Sequence, residues 1–344
     1  METTLVENLP QVTWLGVFIK AVLILAIISA VAGFGTFIER KVLAFMQRRL
    51  GPMHVGPYGL LQIAADGIKL FTKEDIVPQN ANKLIFMIAP AITAATAFIA
   101  LSAVPVFPDF TVPEFMPLIG GTFVPSIASD LNVGVLFVLG MMAAGIYGPL
   151  LAGMSQSNKW GIIGSARTAI QFLSFEVITG FSLIAPIMLV GSMSFVDFNN
   201  YQANEGVWML MYQPVAFVLF LIAGFAETNR TPFDLLEHEA EIVSGFATEY
   251  SGMRWGMFFI GEYANMITVS VIGAVVFMGG YDPDATLGWL FIILKIAFLF
   301  FLMLWVRASW PHIRPDQLMW LCWKVLMPIA MINILVTAIV VMIV

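Results

Sequence analysis

Hydrophobic positions in this chain fall in long, nearly uncharged runs separated by short polar stretches. Runs at 15–38, 84–106, 131–153, 169–190, 208–226, 255–279, 287–306 and 325–344 are each near the twenty residues needed to cross about 30 Å of hydrocarbon as a helix. One polar stretch has its own period. From Tyr58 to Lys73, the polar side chains Gln62, Asp66, Lys69 and Lys73 share a narrow arc at helical spacing, while Leu60, Leu61, Ile63, Ile68, Leu70 and Phe71 cover the rest. The pattern predicts an all-α polytopic membrane helix bundle of about eight transmembrane helices. It occupies 1–344 as a single transmembrane domain, with an amphipathic helix in its first loop. That helix is suited to lie at the lipid interface, or to pack against a docked protein or lipid-soluble ligand.

Composition excludes a water-soluble domain, because 60% of the residues are hydrophobic and 11% charged, against roughly a quarter charged in soluble proteins. It also removes metal chemistry. The single cysteine, Cys322, and three scattered histidines, His54, His238 and His312, build neither a four-cysteine cluster nor a set of closely spaced ligands. A redox cofactor must therefore sit on a partner. The N-terminal stretch has no basic residue before the apolar run from Val12 and no small-residue cleavage pattern after it, so the first helix is expected to be retained.

Charge fixes the expected orientation. The loops 39–83, 154–167, 227–254 and 307–324 hold 7, 2, 2 and 3 basic residues, 14 of the 16 in the chain, and Lys20 and Lys295 lie inside spans. The opposite segments hold nine acids and no base. Basic loops stay cytoplasmic, so both termini are expected on the periplasmic side or its equivalent.

Two sets of carboxylates break the apolar pattern. Glu227, Asp234, Glu237, Glu239, Glu241 and Glu249 crowd 23 positions with Arg230 as the one base before Arg254. A solvated loop accounts for such a cluster. Alternatively, Pro232 starts a helix on which Asp234, Glu237 and Glu241 share a face, and like charges that close exchange protons near neutral pH. Glu176 and Glu262 lie inside apolar spans, each about seven residues from its basic end, or roughly 10 Å deep. Carboxylates there are functional candidates, facing the bundle interior as proton relays or as structural hydrogen-bonding groups. Lys295 is deeper in its span, as a buried counter-charge or a snorkelling side chain.

Several stretches together carry a family resemblance. Glu39-Arg40-Lys41, Arg49-Leu50-Gly51-Pro52, Val55 to Gln62, Asp66 and Lys69 to Glu74 resemble the first inside loop of the H-subunit family of complex I, whose mitochondrial counterpart is subunit 1. Ser174-Phe175-Glu176, the block Glu227-Thr228-Asn229-Arg230-Thr231-Pro232-Phe233-Asp234-Leu235, Glu249-Tyr250 and Glu262-Tyr263-Ala264-Asn265 continue it. Arg307, Pro311, Asp316-Gln317-Leu318 and Trp323-Lys324 close it.

The resemblance implies a membrane subunit of respiratory NADH:quinone oxidoreductase with quinone as substrate and no cofactor on this chain alone, FMN and iron–sulfur clusters being carried by partner subunits. It implies assembly with the peripheral B, C and D subunits and the membrane A, J and K subunits, in a bacterial inner membrane or, alternatively, the mitochondrial inner membrane, and no nucleic-acid partner. Glu39, Arg40, Arg49, Asp66, Arg230, Tyr263 and Arg307 would line or support a quinone chamber. Glu176, Glu227, Asp234, Glu237, Glu239, Glu241 and Glu262 would form a proton path.

The chain departs from the family at Met53-His54, where an asparagine and an arginine are usual, and at His238, where a small residue is usual. Two other readings stand beside the leading one. A membrane subunit of an energy-converting hydrogenase would keep the acids without needing a quinone site. A stand-alone secondary transporter would show an internal repeat, and none is visible.

Overall fold

A computed structural model of the chain describes residues 14–106, 110–112, 121–123, 131–235, 243–281 and 288–343. The architecture is an all-α membrane bundle. Its helices are α1 (Trp14–Met46), α2 (Gln62–Thr72), α3 (Lys83–Ser102), α4 (Gly134–Gly145), α5 (Tyr147–Ser155), α6 (Lys159–Val190), α7 (Phe195–Glu205), α8 (Met209–Tyr212) and α9 (Pro214–Glu227). They continue with α10 (Gly252–Phe277), α11 (Gly288–Ser309), α12 (Pro315–Trp320) and α13 (Met327–Ile343). A π-helical turn, Leu321–Leu326, joins the last two. A small antiparallel pair, Phe110–Val112 with Gly121–Phe123, lies between α3 and α4.

The eight apolar runs map onto eight apolar helical stretches, with instructive differences. Six described helices are long and apolar enough to cross a membrane, while α9 is apolar but shorter. At 14 residues it is about 21 Å long and does not reach across the hydrocarbon alone. The run 208–226 breaks at Gln213, and Pro214 starts α9 as the first-turn proline. α1 is the opposite case: its 33 residues extend about 50 Å, so its last turns carry Glu39 and Arg40 beyond a bilayer-length segment.

The segment 154–167, expected as a loop, is helical from Lys159 onward, with Asn158 capping Trp160 N–H. Lys159 and Arg167 are charges on an overlong helix. Glu176 therefore lies further from the start of its helix than Glu262 does from the start of α10, and a common depth does not follow from counting residues. The amphipathic helix is present as α2, one turn shorter at its start than its apolar–polar period suggested.

α10 is the axis of the bundle. It packs most extensively on α3 and also contacts α1, α2, α7, α9 and α11. Fully 78% of its most apolar window is buried, against 17% for Pro315–Ile343, so α10 sees protein where α13 faces outward. Small residues allow backbones to approach closely in such bundles. At Gly164 in α6, a Cβ would meet Gly245 Cα at 2.9 Å, which presses the 243–250 segment directly against that helix.

Candidate functional site

A buried set of charges gathers where the basic ends of α1, α10 and α11 meet the segment after α9. Glu39, 4% exposed, is its hub. Tyr263 Oη donates to Glu39 Oε2 at 2.6 Å, and both Arg307 and Arg230 place a guanidinium nitrogen on Glu39 Oε1. Arg230 is itself 4% exposed. Its guanidinium carbon sits 4.7 Å over the Tyr263 ring, and its Nη2 lies 3.7 Å from Glu262 Oε2. Burial alone would lower its pKa, but Tyr263, Glu262 and Asp234 outweigh it and hold Arg230 above the ordinary arginine value. It is therefore a fixed positive charge between two carboxylates.

The loop bearing Arg230 owes its shape to a residue without charge. Gln171 of α6 is fully buried, and its Nε2 donates to the carbonyls of Ala226 at 2.6 Å and Phe233 at 2.8 Å. These bonds span the turn from Thr228 to Pro232, while Asn229 takes a left-handed φ of 51°. No helix starts at Pro232 in the described residues, since Thr231–Phe233 form turns. The helical face expected of Asp234, Glu237 and Glu241 therefore does not begin at Pro232, and beyond Leu235 it falls outside the described residues. Glu237, Glu239 and Glu241 lie outside the described residues. Asp234 is partly buried and within electrostatic range of Arg230.

Beyond Arg230 the carboxylates continue into the bundle. Glu227, 5% exposed, ends α9, and a cavity of about 20 Å³ is lined by Glu227, Glu262, Asn229, Asn265 and Thr93 among others. The buried Asn265 Oδ1 and Arg230 Nη2 make no hydrogen bond there. On its other side Glu227 Oε2 lies 3.3 Å from Thr179 Oγ1, and Glu176 is within electrostatic range. The sequence therefore runs Glu39, Arg230, Glu262, Glu227, Glu176 through the protein.

Arg40 and Asp66 form a second, exposed pair at 2.6 Å, with Gln62 Nε2 also donating to Asp66 at 2.9 Å. This pair ties α2 to α1. Arg49 joins neither group, since it bonds locally to Gln47 Oε1 on the surface. At the departure from the family pattern, Met53 Sδ accepts from Lys41 Nζ at 3.0 Å and His54 is exposed. Sequence reasoning did not single out Gln171, Thr179 or Asn265 as site residues. Each was readable only as an uncharged polar side chain inside an apolar run.

Residues 19–338 match the family described as NADH dehydrogenase. The chain belongs to that family. It is 67% identical over 324 residues to the H subunit of the NADH-quinone oxidoreductase of a Nitratiruptor species, covering 94% of this chain and 96% of that one. It is 66% identical over 325 residues to the same subunit of Wolinella succinogenes, covering 94% and 96%. Against the subunit from Sulfurimonas denitrificans it is 61% identical over 325 residues, covering 94% and 97%. Membership in the NADH dehydrogenase family disposes of the stand-alone transporter.

Proposed function

We propose that this member of the NADH dehydrogenase family forms the membrane wall of a quinone chamber and passes the proton demand of quinone reduction into the bundle. It does so as the H subunit of an NADH:quinone oxidoreductase, assembled with the peripheral B, C and D subunits and the membrane A, J and K subunits. Partner subunits supply FMN and the iron–sulfur clusters, since one cysteine cannot ligate a cluster. Its basic segments face the cytoplasm of a bacterial inner membrane, and both termini face the periplasm. The relatives, H subunits of NADH-quinone oxidoreductases, favour this over the hydrogenase reading.

One observation carries the proposal: Arg230 is buried between Glu39, in the last turns of α1, and Glu262, which borders the Glu227 cavity. Reduction of a quinone to a quinol consumes two electrons and two protons. A chamber at the Glu39 end would draw those protons from groups whose charges are held by Arg230, Arg307 and Tyr263. The Arg40–Asp66 pair and α2 form the rim, with Tyr58, Ile68 and Phe71 exposed to a quinone tail or a docked protein. Any change of charge at Glu39 alters the field of Arg230 on Glu262. The cavity of about 20 Å³ beside Glu262 has room for one water, which would let Glu262 and Glu227 exchange a proton as a coupled pair.

Two substitutions in the assembled complex test the two halves. Replacing Arg307 by Ala should weaken quinone reduction while NADH oxidation with an artificial electron acceptor stays intact; quinone reduction at the parent level would defeat the chamber assignment, and equal loss of both would mark failed assembly instead. Glu→Gln replacement at Glu176, Glu227 and Glu241 should lower proton pumping and quinone reduction together. Parent-level values of both in every variant would sink the proton path.

A further inference from the structure

At the end of the bundle opposite Glu39, a half-open cleft of about 320 Å³ is bounded by Gln202, Trp208, Gly279, Tyr281, Phe291 and Lys295. Its volume is at the lower end of small-ligand pockets. Lys295 stands twelve residues, or about 18 Å, along α11 from Arg307, so this cleft is separate from the charged site. The main chain builds its floor. After α10 ends, Gly279 and Gly280 take φ values of 78° and 42° and turn the chain so that Gly280 O accepts from Lys295 Nζ at 2.9 Å. Side chains are barred there, because a Cβ on Gly279 would meet Trp208 Cδ1 at 2.8 Å and one on Gly280 would collide with Asn199 Oδ1. The ammonium lies 5.2 Å from the Trp208 ring centroid, a cation–π distance. The Trp208 indole N–H, on the same wall, makes no hydrogen bond among the described residues.

Two further features define the chemistry of an occupant. Phe291, Leu294 and Phe298, at 56%, 55% and 54% exposure, lie on one stripe of α11 with Lys295 by three- and four-residue steps, so the polar cleft opens onto a surface that faces hydrocarbon. Trp208 and Tyr281 line the cleft, aromatic residues of the kind enriched at a membrane–water boundary. Among the residues that line the cleft, Lys295 is the one base and no carboxylate is present. We propose that the cleft binds an anionic phospholipid of the adjoining leaflet, its phosphate accepting from Lys295 Nζ and the Trp208 indole and its acyl chain lying along Phe291, Leu294 and Phe298.

The test is a set of single-particle maps of the assembled complex. In nanodiscs containing phosphatidylglycerol, headgroup density should sit within hydrogen-bonding reach of Lys295 and Trp208; in nanodiscs of phosphatidylcholine alone it should be lost. Lys295→Met should remove the density in phosphatidylglycerol. Should that variant fail to assemble, Trp208→Phe, which keeps an aromatic ring and deletes the N–H, should weaken it. An empty cleft in phosphatidylglycerol, equal density with phosphatidylcholine, or density that survives Lys295→Met or Trp208→Phe unchanged would overturn the proposal. So would filling in detergent by inorganic phosphate with none in lipid, which would mark a small-anion site.

Discussion

Glu39 and Arg40 are neighbours in sequence, yet one heads a buried network and the other an exposed pair. The side chains of Glu39 and Arg230 are each 5% accessible, while those of Arg40 and Asp66 are 47% and 31% accessible. Both residues make ion pairs, but their energetics differ. Solvent competes for the Arg40–Asp66 pair and salt screens it. At Glu39 and Arg230 little solvent replaces a lost partner, so removing Glu39 leaves Arg230 with Glu262 alone, while Arg307, 31% accessible, still meets solvent. The same α1 turn thus has a rigid inner face and an adjustable outer one, an arrangement suited to a chamber with a fixed wall and a movable rim.

The contrast can be broken at four places. Glu39→Ala should have the largest effect, leaving Arg230 and Arg307 without their shared carboxylate at a cost of about 3–5 kcal/mol. The heat stability of the assembled complex should fall sharply; a shift no larger than that of an exposed pair would refute the hub assignment. Gln171→Leu comes next, since it removes the side-chain donor that the Ala226 and Phe233 carbonyls share and leaves each with backbone donors alone, at about 0.5–1.5 kcal/mol for each bond lost. Hydrogen exchange in the 226–233 segment should rise while the α3–α10 interface stays protected, and uniform loosening would instead indicate a general packing defect. Tyr263→Phe removes one hydrogen bond to a charged acceptor, about 1.5–3 kcal/mol, with Arg230 and Arg307 still holding Glu39; a loss equal to that of Glu39→Ala would contradict the shared-hub geometry. Arg40→Ala should cost at most about 1 kcal/mol, and the difference from the parent should shrink as salt is added. A salt-independent effect would show that this pair is not the solvent-exposed one.

Much of the fold was legible because the bilayer imposes length and apolarity on every span, and Glu176, Glu262 and Lys295 stood out as charges within them. Less legible were elements whose boundaries do not coincide with the hydrocarbon. Lys159 and Arg167 looked like loop residues because charge marks the membrane boundary, whereas α6 continues past it. Gln213 and Pro214 split an apolar run that gave no sign of a helix too short to cross. The site was legible in its members and not in its connections. Glu39 meets Arg230, Tyr263 and Arg307 across 191, 224 and 268 positions, and no local spacing encodes such contacts. Gln171 stayed hidden because an uncharged amide in a helix gives no electrostatic signal, although it supports the turn that places Arg230.

In the proposed coupling, charge set at Glu39 reaches the bundle carboxylates through Arg230. Redox-induced infrared difference spectroscopy of the assembled complex tests this most directly, comparing the parent with Glu227→Gln as quinone is reduced. A protonated-carboxyl band should change on quinone reduction in the parent and be missing in the variant. A carboxyl difference spectrum identical in the two would contradict it.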